Sequence, residues 1–157
     1  MTQAQQNTSI NILLADDDND DRAFFNNALK ELPLSTHLTT VNDGEQLMNY
    51  LSKNSEKLPD ILFLDLNMPR KNGFECLCEI RENKNLDGIS VVILSTSFPQ
   101  DKNYELGMIS NLFNLGARVF IRKPGDFEHL KQTILHAITM TKEEISSSLQ
   151  LKYILNA

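Results

Sequence analysis

The stretch Asp60-Ile-Leu-Phe-Leu-Asp65-Leu-Asn-Met-Pro69-Arg-Lys-Asn-Gly73 decides how this chain folds. Four apolar residues run straight into Asp65, and Pro69 and Gly73 punctuate the exit. A short unbroken apolar run between turn signals is the pattern of a strand buried on both faces, as in the middle of a parallel sheet. The pattern predicts a strand ending on Asp65, at the carboxyl edge of the sheet. In open α/β sheets that edge is where ligands bind.

Working outward, Val91-Val-Ile-Leu94 is a second fully apolar strand, and it ends in Ser95-Thr96-Ser97. Ile10 to Ala15 is a strand interrupted by Asn11, and it runs into Asp16-Asp17-Asp18-Asn19-Asp20-Asp21. His37 to Val41 and Arg118 to Ile121 are shorter strands. Between them, helical spacing links Ala23, Phe24, Ala28, Leu29 and Leu32, with Pro33 as the stop. Asn19 or Asp20 is the natural N-cap there, and Asp20 and Asp21 suit the positive end of a helix dipole. Asn42-Asp43-Gly44 turns into a helix carrying Leu47, Met48 and Leu51. Phe74, Leu77 and Ile80 mark another. Asp126 caps a last helix with Phe127, Leu130, Ile134, Ala137 and Ile138 on one face.

Strands alternating with helices predict an α/β fold, a flavodoxin-like doubly wound five-stranded parallel sheet in the order 2-1-3-4-5. That order buries the two most apolar strands and sets the ends of strands 1 and 3 side by side. The expected organisation is a flexible N-terminus over 1–9, one domain over 10–140, and a helical extension or tail over 141–157. The last segment is too short for a DNA-binding effector domain. Packing on the domain, pairing with a second copy as a homodimer, and fraying all stay open for it.

Composition narrows the class. The 157 residues are 41% hydrophobic and 23% charged, with 21 acidic against 15 basic side chains and a net charge of -6. Nucleic-acid binding would want clustered Lys and Arg, and this balance argues against it. No apolar run approaches the roughly 20 residues of a membrane span. Residues 2–9 carry neither the basic nor the apolar part of a signal peptide, so a cytoplasmic location is expected. Cys76 and Cys78 are too few for a disulfide framework and, two apart on a helix, do not share a face.

In the predicted topology Asp16, Asp17 and Asp65 meet at one edge. Clustered carboxylates resist ionising together unless a cation is present. Mg2+ answers that need, because it takes few carboxylates and keeps room for water and phosphate oxygens. Ser95 adds a hydroxyl at the end of strand 4, and Lys123 an ammonium at the end of strand 5. A nucleophilic carboxylate, a metal site, a hydroxyl and a lysine are the parts of phosphoryl transfer onto an aspartate.

With Asp16-Asp17, Asp65 followed by Asn67-Met-Pro and Gly73, Ser95-Thr96, and Lys123-Pro124 in register, the chain resembles a response-regulator receiver domain of two-component signalling. The resemblance spans residues 10 to about 140, and the Asn67-to-Gly73 run is similar to stand-alone regulators paired with phytochrome-type histidine kinases. It implies that Asp65 accepts a phosphoryl group from a kinase phosphohistidine. It further implies that Asp17 binds Mg2+ directly, Asp16 largely through water, and Asn67 through its backbone carbonyl. Ser95 is then the switch hydroxyl, Lys123 pairs with the phosphoryl group, and Phe120 takes the place of an aromatic that turns inward on activation. The output is protein binding to an unidentified downstream partner, or phosphorelay.

Several readings stand beside these. The chain has more residues between Ser95 and Lys123 than receivers usually have. Met108, Ile109, Leu112, Phe113 and Leu115 therefore predict a longer or irregular fourth helix, on the face that receivers use for targets. Asp18 reads as a solvated loop residue, Arg70-Lys71 as a solvated loop, His129 and His136 as solvent-facing, and the cysteines as core thiols. A pseudo-receiver that docks without taking phosphate would have lost one of the key residues, and none is lost. A haloacid-dehalogenase-type phosphatase wants a second Asp two residues after the nucleophile, where this chain has Asn67.

Overall fold

The computed structural model describes residues 9–96, 102–143 and 153–155. Its strands are β1 (Ile10–Ala15), β2 (Thr36–Val41), β3 (Ile61–Asp65), β4 (Ser90–Ser95), β5 (Val119–Arg122) and β6 (Tyr153–Leu155). They form one sheet in the order β2-β1-β3-β4-β5-β6, with every pairing parallel. The helices are α1 (Asn19–Lys30), α2 (Gly44–Lys53), α3 (Gly73–Glu82), α4 (Lys102–Asn114) and α5 (Phe127–Glu143). The first five strands follow the expected 2-1-3-4-5 order. The sixth corrects the expected helical extension or tail at three residues, Tyr153–Leu155, which pair beside β5. Of the residues between Ser95 and Lys123 that make this stretch longer than usual, 97–101 lie outside the described residues.

All five residues of β3 are buried, which is why its apolar run carries no alternation. Period two then sends its side chains to two different cores. Leu62 and Leu64 join Leu13, Ala15, Val91, Ile93 and Phe120 on the face covered by α2, α3 and α4. Ile61 and Phe63 join Ile12, Leu14, Val92, Leu94 and Ile121 on the face covered by α1 and α5. Each large apolar side chain taken from water contributes about 1.5–3 kcal/mol, so this central strand anchors both layers. Among the described residues no helix is long and apolar enough to cross a membrane.

Side chains cap the starts of α1, α2, α3 and α5. Asp18, not Asn19 or Asp20, is the N-cap of α1: its carboxylate accepts from the Asp21 N–H at 2.9 Å. Asp18 is exposed and outside the helix, as the solvated-loop reading expects, and it adds the capping bond. Asp43 and Asn72 do the same for α2 and α3, and Asp126 accepts from the His129 N–H at 3.2 Å. The buried face of α1 is Phe25, Ala28 and Leu29, while Ala23 is exposed. Helical spacing points to Ala23, but the i, i+3, i+4 set that faces the sheet starts at Phe25. Phe74, expected on the buried face of α3, is 41% exposed, because Cys76, Leu77 and Ile80 fill that face.

Ile109, Leu112 and Phe113 bury the inner side of α4, a helix of 13 residues. His129 and His136 face solvent as expected. Lys71 departs from the solvated-loop reading: it is half-buried and ion-paired with Glu79.

Candidate functional site

The site grows from the ends of β1, β3 and β5. Alternation along the strands carries past their last residues: Asp16 follows Ile12 and Leu14, Asp65 follows Ile61 and Phe63, and Lys123 follows Val119 and Ile121. All three therefore lean to the α1/α5 side of the sheet edge, and they meet there. The Lys123 ammonium donates to Asp16 Oδ2 at 2.8 Å, to Asp65 Oδ2 at 3.2 Å and to Asp21 Oδ2 at 2.9 Å. Asp16 and Asp65 are 2% and 3% exposed, so their ion pairs with Lys123 are largely shielded from water, while the Asp21 side chain is 45% exposed.

The second oxygen of each buried carboxylate is also engaged. Asp16 Oδ1 accepts from the Asp18 N–H at 3.0 Å, and Asp65 Oδ1 accepts from the Asn67 N–H at 3.0 Å. Burial is the largest influence on Asp65 and pushes its pKa from 3.8 up to about 6. The Lys123 charge and the Asn67 N–H pull it back, and the neighbouring Asp16 adds to the rise. For Lys123, burial disfavours the ammonium, but the bonds to Asp16 and Asp21 and the Asp65 charge outweigh it and hold its pKa above that of an ordinary lysine.

Asp17 is exposed and completes a triad. Asp16, Asp17 and Asp65 each offer an oxygen, and the three oxygens lie within 4.8 Å of one another. Three carboxylates so placed are a hard-oxygen donor set that suits a divalent cation. One lysine offsets their combined charge only in part.

The loop from Asp65 to α3 is held by close backbone contacts. The Gly73 N–H donates to the Leu66 carbonyl at 3.0 Å. A Cβ on Gly73 would sit 2.3 Å from the Asp65 carbonyl oxygen, and one on Gly44 would sit 2.0 Å from that of Lys71. Both positions need glycine because another backbone passes there. Within the loop Arg70 takes φ 68, in the left-handed region, and its guanidinium lies 3.6 Å from Asp43.

Ser95 and Arg122 are register partners on β4 and β5, and alternation points both to the opposite side, towards α4. Ser95 is fully buried, and its hydroxyl donates to the Thr96 carbonyl at 2.9 Å rather than to a carboxylate. Phe120 is 1% exposed, already packed inward beneath α4. Cys76 is buried, and burial pushes its thiol up to about 12.

Sequence reasoning brings Asp16, Asp17, Asp65 and Lys123 together and misses two groups. Asp21 has a sufficient local explanation in the helix dipole, yet it is a full partner of Lys123. Glu105 of α4 is 3% exposed and forms an ion pair with Arg122, beside the site. The signal for Glu105 is that it is the lone acid of α4. Its cation, however, lies on another element.

A family model described as the response regulator receiver domain matches residues 12–135. The response regulator Rcp1 of Synechocystis sp. is 36% identical over 102 residues, covering 60% of this chain and 69% of that protein. A structure described as the phosphorylated cyanobacterial phytochrome response regulator RcpA superposes with a TM-score of 0.71 at 30% identity, covering 89% of this chain and 98% of that one. The Mn(2+)-bound form of Rcp1 superposes with a TM-score of 0.69 at 27% identity, over 83% of this chain and 92% of that one. With its acidic triad and lysine at the carboxyl edge of a 2-1-3-4-5 sheet, this chain belongs to the response regulator receiver domain family.

Proposed function

We propose that this chain accepts a phosphoryl group on Asp65 from the phosphohistidine of a histidine kinase, in a Mg2+-dependent reaction in the cytoplasm. The modified chain then switches a protein–protein interaction or passes the phosphoryl group on. The observation that carries this reading is the convergence on Asp65: Lys123 at 3.2 Å, and Asp16 and Asp17 with oxygens within 4.8 Å. The likeness to RcpA supports a phytochrome-type kinase as the donor.

In the reaction a carboxylate oxygen of Asp65 attacks phosphorus. The P–N bond breaks, and its electron pair leaves on the imidazole nitrogen, which takes up a proton. Asp65 must be ionised to attack, and a pKa of about 6 leaves it so at neutral pH. Lys123 offsets the charge gathering on the phosphoryl oxygens. Asp16, Asp17, Asp65 and the Asn67 backbone carbonyl would hold Mg2+, which would supply further charge neutralisation there. Ser95 gives up its bond to the Thr96 carbonyl and turns its hydroxyl to the phosphoryl group. Phe120 keeps the inward position that the family associates with the active form. The output face is α4, where Tyr104 and Leu106 leave large apolar side chains exposed.

The test is intact-mass analysis of the protein and its Asp65→Asn variant after incubation with Mg2+ and acetyl phosphate. One labile phosphoryl group on the wild type, absent from the variant and absent without Mg2+, is the expected result. No gain from acetyl phosphate or from a cognate kinase would overturn the reading in favour of a docking module. Free phosphate released over many turnovers from varied phosphoesters would overturn it in favour of a phosphatase.

A further inference from the structure

The Lys123 ammonium has three N–H donors, and the structure supplies three carboxylate acceptors for them, at 2.8, 2.9 and 3.2 Å. Asp16 and Asp65 belong to the acidic triad. Asp21 does not. Its carboxylate stands on the first turn of α1, a rigid platform: Asp18 caps that turn, the Arg22 guanidinium donates to the Asp16 carbonyl at 2.6 Å, and Phe24 packs on Phe127 of α5 at 5.3 Å between ring centroids. Beside the ammonium, between α1 and α5, is a cavity of about 30 Å³ lined by Asp16, Asp21, Phe24, Phe25, Lys123 and Leu130 among others.

A divalent cation on the triad places two further positive charges against carboxylates that Lys123 already uses. The ammonium must then loosen from Asp16 and Asp65. Lys123 is only 17% exposed, so an ammonium with no remaining partner would be a buried, unpaired charge, which is costly. Asp21 is the acceptor that need not be vacated. We propose that Asp21 is a positioning residue for Lys123: it retains the ammonium at the α1–α5 crevice while Asp16 and Asp65 are given over to the cation and the phosphoryl group. This rests on the phosphoacceptor reading above, and the cation part of it can be read without phosphate.

The probe is Mn2+, with the free ion counted by electron paramagnetic resonance on the full chain. Asp21→Asn is expected to weaken Mn2+ binding about tenfold, the scale of one charge-assisted hydrogen bond. Asp20→Asn removes the same charge one residue away on an exposed side chain, and screening through water should hold its effect to about twofold. Asp21→Glu restores the carboxylate and should recover most of the loss. In a Lys123→Met background, Asp21→Asn should do no more than Asp20→Asn, because nothing is left to position.

Equal weakening by Asp20→Asn and Asp21→Asn would overturn the proposal. So would a tenfold loss that persists without Lys123, which would make Asp21 a direct contributor to the cation. Acetyl phosphate labelling of the same wild-type sample separates the two readings. Mn2+ binding without labelling is a failure of the phosphoacceptor reading, while labelling with an Asp21→Asn affinity equal to wild type is a failure of Asp21 alone.

Discussion

Replacing Asp65 by Asn should make the cation-free protein more stable at neutral pH, although it removes the residue on which the proposed function depends. The Asp65 carboxyl is raised from 3.8 to about 6 in the folded state, chiefly by burial. A raised carboxyl pKa means that the native state binds the proton more tightly than the unfolded chain does. Stability is therefore greatest below the unfolded pKa and falls as pH rises between about 4 and 6. Above that window the ionised side chain costs about 3 kcal/mol relative to its neutral form, because each tenfold gain in proton affinity on folding is worth about 1.4 kcal/mol. Asn carries no charge, but its amide turns a donor towards Lys123 or the Asn67 N–H, a mismatch of about 1 kcal/mol. The larger effect wins, and a net gain of about 1–2 kcal/mol remains. Urea unfolding without divalent cations should show Asp65→Asn more stable than wild type at pH 7.5, with the difference vanishing towards pH 4.5. A variant no more stable at pH 7.5, or a gain that grows as pH falls, would refute the account of Asp65 as a destabilised carboxylate.

Two other substitutions probe the supports of the site. Gly73→Ala places a Cβ 2.3 Å from the Asp65 carbonyl oxygen, a backbone atom that cannot swing aside. Overpacking of about 1–3 kcal/mol or more should exceed the helix-propensity gain of up to about 1 kcal/mol, lowering the urea midpoint and weakening Mn2+ binding together. The ion pair between Glu105 and Arg122 should respond asymmetrically, because the Arg122 side chain is 32% exposed and that of Glu105 only 4%. Glu105→Gln leaves a cation that can reach water and should cost about 1–2 kcal/mol, whereas Arg122→Ala strands a buried carboxylate and should cost about 3 kcal/mol or more. Equal losses in thermal unfolding would count against a buried Glu105.

How much of this is legible in the sequence depends on how far each signal reaches along the chain. Residues 61–65 announce a doubly buried strand because every position is apolar up to Asp65. Parallel topology then forces Asp16, Asp65 and Lys123 to the same edge. Features with two adequate local explanations mislead. Asp21 satisfies a helix dipole whether or not a lysine more than a hundred residues later reaches it, so its tertiary role leaves no trace in the local pattern. Asp18, Asn19 and Asp20 are all good caps, and only backbone geometry selects among them. Phe74 sits at the right spacing for the α3 core but one turn too early to meet the sheet. The strand at Tyr153–Leu155 is three residues long, too short for a period of two to be told from a period of 3.6.

The contacts around the site also order the steps of the proposed switch. Among the described residues Ser95 is held by a neutral hydrogen bond to the Thr96 carbonyl, at 2.9 Å, worth about 1 kcal/mol. A phosphoryl oxygen on Asp65 would offer its hydroxyl a charge-assisted bond of about 1.5–3 kcal/mol. Turning is therefore favourable once the phosphoryl group is present and unfavourable before. Lys123 holds two buried carboxylates, and its full release would cost more than one new contact returns, so it shifts between partners rather than leaving them. The part of the site that turns is thus Ser95, on the α4 side of the sheet edge, while on the α1/α5 side Lys123 would stay in place on Asp21 as its bonds to Asp16 and Asp65 loosen. Ser95 pairs in register with Arg122, and Arg122 is ion-paired with Glu105. In the proposed switch a change at the hydroxyl would in this way pass first to α4, the helix that carries Tyr104 and Leu106 into solvent.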